Sequence, residues 1–321
     1  MKDGFFLILV LFLFGCSSKE ESFIIESQSE EFDWIVSLEE IEDGHPFDLM
    51  KDPKFKLPSE ITNLRLEDKV AIISFDNEMH VFPYRNTNYF EVINDNIGDK
   101  VISFSYCPIT ESAICFDREK VDNDFLIASG YLYKDNLVFS NLKQDRFWFQ
   151  MLIKEIKGVD AGSYIETINL VELEWKTVLE YFPNSKVFYH LLNTSSDGGA
   201  VFNNNVNENK SVYGIVSRDS DHVKLYSYEH FIESKIYEER INNKKVIIFG
   251  DNDKKYITAY SNPNNLRFTI NKNNFPNILE DNEASMHLFK KLGFVEIGVK
   301  EDWIRVKNTF KNEILLQKIN R

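Results

Sequence analysis

The chain has 321 residues, 43% hydrophobic and 14% aromatic, enough to bury a sizeable core in one large domain or two smaller ones. Its net charge of −14 argues against nucleic acid, whose phosphates need a basic surface, and against electrostatic docking on an anionic bilayer. The plain role of that acidity is solubility.

Phe5 to Phe14 is an unbroken apolar run, too short to span a bilayer as a mature helix. Gly15-Cys16 and the polar run Ser17-Ser18-Lys19-Glu20-Glu21 follow it. The pattern resembles a bacterial lipoprotein signal, with 1–15 as the signal peptide. The resemblance implies cleavage before Cys16 and a diacylglycerol on its sulfur; the alternatives are an ordinary secretory signal or a membrane-anchoring helix. Each buried CH₂ is worth about 0.8 kcal/mol, so two or more acyl chains hold firmly. Ser17 is not the aspartate that retains lipoproteins at the inner membrane. The expected location is therefore the cell envelope, as an outer-membrane lipoprotein facing the periplasm or the cell surface. Residues 16–33 read as a polar, acidic tether.

From Trp34 onward, short alternating apolar runs are separated by Asn, Asp, Gly and Lys turns, which predicts an α+β, β-rich fold with few short helices. Val70–Phe75 and Met79–Phe82 read as a hairpin. Val101–Tyr106, Ser112–Phe116, Phe125–Ala128 and Asn136–Phe139 read as further strands. Glu172–Tyr181 reads as a helix, with Val171, Trp175, Val178 and Leu179 on one face and Pro183 after it. The chain also repeats itself at a spacing of roughly 144 residues. Ala71-Ile-Ile-Ser-Phe-Asp76 matches Gly214-Ile-Val-Ser-Arg-Asp219, and Lys100-Val-Ile-Ser-Phe104 matches Lys245-Val-Ile-Ile-Phe249. This predicts two related β-rich halves from an internal duplication, 34–195 carrying Cys107 and 205–321, joined by the Ser-, Gly- and Asn-rich stretch Asn193–Asn209. Gly250 and Asp251 stand where a second Cys107 would be, in a run that reads as a turn.

Cys16, Cys107 and Cys115 are the only cysteines. Cys107 ends a strand, and Pro108 cannot continue the ladder. Backbone N–H groups freed in that turn, with the Thr110 hydroxyl, are candidates to stabilise a thiolate. Cys-x-x-Thr is a dithiol pattern with its resolving partner replaced by a hydroxyl, able to form a sulfenic acid or a mixed disulfide but not its own disulfide. The plain alternative is that Cys107 packs as a small apolar residue. A 107–115 disulfide is disfavoured. With a hairpin turn at 107–111, Cys115 lies about four residues, roughly 13 Å, down the return strand, beyond the ~7 Å limit between Cα atoms. Glu91 and Asp95 are candidates for acid, base or metal ligands, and a helix would put them on one face. The six His residues show no paired metal spacing, so neither metal nor cofactor is expected.

The signposts Asp52-Pro-Lys-Phe55, Phe82-Pro83, Glu91-Val-Ile-Asn-Asp95, Tyr106-Cys-Pro-Ile-Thr110, Gly130-Tyr-Leu-Tyr133 with Asn136-Leu137, and Trp148 with Gln150 occur in order. In that order they resemble the DUF3179 family of exported bacterial proteins of unknown function, over roughly residues 40 to 285. Some relatives carry selenocysteine at the position of Cys107, which implies redox or nucleophilic chemistry there. Phe90 stands where the family usually has His, and Glu111 where Gly is common. Asn141, Gln144 and Arg146 replace a usual Asp, Thr and Ser, and such departures imply a lost activity. Trp148, Gln150 and Asn136 either close a core or line a substrate-binding wall.

The tail carries a second resemblance. Asn282-Glu-Ala-Ser285, Leu288-Phe289, Lys291-Leu-Gly-Phe294, Asp302-Trp303 and Glu313-Ile-Leu-Leu316 resemble the C-terminal end of a GNAT-type N-acetyltransferase. A capped helix over 282–292 and strands at Phe294–Val299 and Asn312–Leu316 are expected. No phosphate-cradling Gly loop precedes them, so an active acetyltransferase is disfavoured, and a remote reading keeps only residual ligand binding in the tail. Two functions follow. One is a thiol-dependent envelope enzyme using Cys107, Thr110, Glu91 and Asp95 on an unknown small molecule. The other is a non-enzymatic binding or scaffolding lipoprotein that engages an envelope protein or ligand, with Cys107 as packing.

Overall fold

The structure, a computed structural model, describes residues 32–45, 47–75, 78–190, 211–218 and 222–263, and the backbone of 294–306 and 309–318. Cys16, the 193–209 stretch and the tail helix expected over 282–292 lie outside the described residues. Strand predominates, with two α-helices among the described residues. In chain order the first elements are β1 (Ile41–Asp43), β2 (Phe55–Lys56), β3 (Lys69–Phe75), β4 (Glu78–Pro83), α1 (Tyr84–Thr87), β5 (Val92–Ile97), β6 (Lys100–Cys107) and β7 (Ser112–Asp117). Then come β8 (Leu126–Tyr133), β9 (Asn136–Asn141), β10 (Phe147–Phe149), β11 (Lys154–Lys157), β12 (Thr167–Ile168), β13 (Val171–Glu174), α2 (Trp175–Tyr181) and β14 (Lys186–Phe188).

These strands form three sheets with spatial orders β13-β3-β4-β14-β2, β12-β7-β6-β5 and β1-β8-β9-β10-β11. The β12-β7-β6-β5 sheet lies between the other two and is apolar on both faces. Period-2 alternation in Lys100-Val-Ile-Ser-Phe-Ser-Tyr-Cys107 sends Ile102, Phe104 and Tyr106 to one face. There they pack on Ala71, Ile73 and Phe82 of the β3–β4 hairpin. Phe82 stacks on Phe104 with ring centroids 4.7 Å apart. The other face carries Cys107, Val92 and Phe116 against Leu126, Leu137, Phe139 and Trp148. Aromatic burial on this scale dominates the packing energy, and each well-placed pair adds about 0.5–1.5 kcal/mol beyond area.

The expected helix over 172–181 begins three residues late. Val171, Glu172, Leu173 and Glu174 pair antiparallel with Ile72, Ala71, Val70 and Lys69, and only Trp175–Tyr181 is helical. An unfilled edge on β3 captured the alternating Val171-x-Leu173 run, whose Leu173 is buried. Trp175 and Val178 are buried as expected, whereas Leu179 faces outward.

The later elements are β15 (Val212–Ser217), β16 (His222–Ser227), β17 (Lys235–Ile241), β18 (Lys244–Asp251), β19 (Tyr256–Ser261), β20 (Phe294–Val306) and β21 (Thr309–Lys318). They form the β15–β16 hairpin, the β17-β18-β19 meander and the β20–β21 hairpin. The tail strands run longer than expected. Phe249 and Tyr256 enter the same core as Val70, Val81, Trp175 and Val187, so the later meander packs on the β3–β4 sheet. The order hairpin, short helical turn, three-stranded meander occurs twice. β6 and β18 each span eight residues. A four-residue turn follows each, with Cys107 opposite Ser112 and Asp251 opposite Tyr256.

Candidate functional site

Cys107 closes β6 on the face toward β8–β10, at 0% exposure. It belongs to the same buried cluster as Val92, Phe116, Leu137 and Trp148, and its sulfur approaches the Asp135 carbonyl at 4.0 Å. Asp135 and Lys134 form the two-residue turn between β8 and β9, both at positive φ, the geometry that matches strand twist in a tight hairpin. Cys115 pairs with Phe104 and packs on the opposite face of the sheet. The two thiols are therefore free and back to back. Burial, first, and the neighbouring Asp95 and Asp117 push the Cys115 thiol well up.

Thr110, Asn136 and Gln150 converge beside this turn. The Asn136 amide donates to Gln150 Oε1 at 2.8 Å, Thr110 Oγ1 at 2.8 Å and Ser112 Oγ at 3.1 Å. Gln150 Nε2 donates to Ser105 Oγ at 2.9 Å, and Ser112 Oγ donates to Gln150 Oε1 at 2.7 Å. Met151 N–H donates to Asn136 Oδ1 at 3.1 Å. Asn136 starts β9 and Gln150 follows β10, so this network pins one sheet onto the β6–β7 turn. Its amides are spent on one another and on neighbouring hydroxyls, which is how buried polar groups are held at low cost. Trp148 lies in the core, stacked on Phe139 at 5.6 Å, with the Arg146 guanidinium 5.0 Å from its ring. Arg146 in turn ion-pairs with the buried Glu155 and with Asp160 at 2.7 Å.

Glu91 precedes β5 at φ 55, a left-handed conformation uncommon outside Gly. Its carboxyl is buried, and that burial pushes its pKa up to about 8. Its backbone carbonyl accepts from Tyr106 N–H at 2.8 Å. Tyr106 stacks on Tyr84 at 4.3 Å, on the face away from the Cys107 sulfur. Beyond it, Glu172 Oε2 accepts from the Tyr84 hydroxyl at 2.8 Å, and Glu172 Oε1 meets Lys69 Nζ at 3.0 Å and the Tyr228 hydroxyl at 3.3 Å. Glu111, in the β6–β7 turn at φ 52, is raised first by burial.

Asp95 is not part of this group. In β5 it sits four residues beyond Glu91, roughly 13 Å along an extended strand, where the helix considered above would have brought the two together. Asp95 Oδ2 instead accepts from His80 Nδ1 at 2.5 Å. His80 is 3% exposed, its ring lies 4.4 Å from Phe55, and its Nε2 stands 3.6 Å from Glu78 without a hydrogen bond. His80 was legible: it occupies the same inward parity in β4 as Phe82. No cluster of three or more His, Cys, Asp and Glu side chains suited to a metal occurs among the described residues.

The geometry thus defines a protein of three stacked sheets and an added meander, with a rare cysteine sealed under an amide and hydroxyl network. The family model described as "Protein of unknown function (DUF3179)" matches residues 43–290, and the chain belongs to that family. No curated protein and no solved structure matches the chain. The family match ends before β20, and no match supports the acetyltransferase resemblance of the tail.

Proposed function

We propose that this chain is a lipid-anchored cell-envelope protein that acts by binding or scaffolding, with Cys107 as a packing residue. The observation that carries the reading is the full burial of Cys107 in the apolar cluster that includes Val92, Phe116 and Trp148. Thiolate chemistry needs access and an electropositive setting, and this pocket is apolar. The neighbouring Thr110, Asn136 and Gln150 side chains satisfy one another rather than the sulfur. The apolar run ending in Gly15-Cys16 supports the anchor. The repeated order of hairpin, turn and meander supports descent of the two halves from one duplicated unit.

Alkylation of the folded protein with iodoacetamide at neutral pH tests the reading. Cys107 should react no faster than Cys115, and both should react once the chain is denatured. Fast stoichiometric modification of native Cys107, with Cys115 untouched, would overturn it in favour of the thiol-dependent enzyme. The anchor is tested separately by detergent phase partitioning, in which Cys16→Ala should move the protein into the aqueous phase.

A further inference from the structure

At the other end of the β12-β7-β6-β5 sheet from Cys107, a cavity of ≈ 450 Å³ opens along β5, the edge strand of that sheet. We propose that it binds a small zwitterion of amino-acid type, with the carboxylate on Arg118 and Lys51 and the ammonium on Asp52. The family signposts Asp52-Pro53 and Asn94-Asp95 both lie in its wall, although they are some forty residues apart in sequence.

The cation side of the cavity is unusual. Arg118 is 4% exposed, yet among the described residues its hydrogen-bond partners are all neutral oxygens. Nε donates to Ile102 O at 2.9 Å, Nη1 to Asn123 O at 3.3 Å, and Nη2 to Asp95 O at 3.5 Å and Asn96 Oδ1 at 3.4 Å. Three of these contacts are long. A carboxylate offers shorter, charge-assisted and bidentate bonds to the same fork. Burial lowers the Arg118 pKa, and the Asp95 carboxylate opposes that from a distance while held by His80. The Phe125 ring has the Arg118 guanidinium at 4.9 Å and Lys51 Nζ at 6.0 Å, so both cations lie near one ring in the cavity wall.

The site is preorganised. Asp117 caps the helical turn Arg118–Val121 by accepting from Glu119 N–H at 3.0 Å, which fixes where Arg118 emerges. The segment carrying Lys51 and Asp52 is tied to β5 because Met50 O accepts from both Asn94 N–H at 2.9 Å and Asn94 Nδ2 at 3.0 Å. Asn94 is further spent on Leu126 and Ser103, so it frames the wall rather than reading a ligand. Asp52 is exposed in the cavity wall and supplies the negative pole. Two cations and two carboxylates leave the wall close to neutral, which favours a zwitterion over a multiply charged anion.

This inference gives the binding reading a ligand class, but it rests on other side chains, and it can fail while the alkylation result stands. Titration calorimetry on the full folded chain would use glycine, L-alanine, D-alanine and L-phenylalanine, with acetate, propionate and ethylamine as one-charge analogues. At least one amino acid should bind saturably, and the analogues about tenfold or more weaker. Asp52→Asn and Lys51→Gln, both at exposed positions, should each weaken binding by about tenfold with unchanged thermal stability, and Arg118→Gln should abolish it. Absence of saturable binding, equal binding of the analogues, or indifference to Asp52→Asn and Lys51→Gln would each overturn the proposal.

Discussion

At the Cys107 end of the central sheet, β6 and β7 run into a turn that is sealed by the Asn136–Gln150 network and by Trp148 beneath it. At the Lys100 end, β5 and Val101 of β6 border a cavity, and Lys51, Asp52 and Arg118 come to its wall from segments far apart in the chain. The first end holds the rarest residue type in the chain and spends its polar groups internally. The second is made of ordinary residues, among them a buried Arg118 whose Nη1 and Nη2 contacts to neutral oxygens are all long. Rarity in a sequence marks a residue for attention, but what a group can do is set by whether its bonding capacity is already used.

The contrast breaks most visibly in stability. Trp148→Ala, at the sealed end, should cost about 3–5 kcal/mol in denaturant unfolding, whereas the half-buried Phe125 at the open end should cost under about 2 when cut to Ala. Equal losses would show that the two ends are packed alike. Next is Glu91. With its folded pKa near 8 against an ordinary 4.5, the folded state holds a proton that the unfolded state releases between those values. Its favourable contribution is complete below pH 4.5 and is lost as pH rises through about 8. Glu91→Gln should therefore flatten stability over that window, with a gain on the order of a few kcal/mol at the alkaline end. An unchanged pH profile would place the Glu91 carboxyl in water rather than at the sealed end. The smallest effect is expected from Asn136→Ala, about 1–3 kcal/mol, because it strips one donor from Gln150 Oε1 and leaves the Met151 N–H without its acceptor. A neutral result would mean that the network does not hold the turn.

Much of the fold was legible. The hairpin at 70–82 and the strands near 101–106, 112–116, 125–128 and 136–139 appear close to where alternation placed them, because period-2 burial is a local property of the chain. The start of α2 was not, since the free edge of β3 lies a hundred residues upstream and claimed Val171–Glu174. For the site, the sequence tied Thr110 to Cys107 and offered Asn136 and Gln150 separately as core or wall residues, and the structure joins Thr110, Asn136 and Gln150 in one hydrogen-bond network. It also grouped Asp95 with Glu91, and the strand separates them. Arg118, Phe125 and Lys51 carried no motif at all, and only their meeting in space makes them a group.

The cysteine pair shows where the division falls. Alternation along β6 and β7 alone sets Cys107 and Cys115 on opposite faces and forbids their disulfide, since the register of one hairpin decides it. Whether the Cys107 face meets water or another sheet is not a property of that hairpin. It was decided by β8–β10 docking over it, through side chains up to forty residues away.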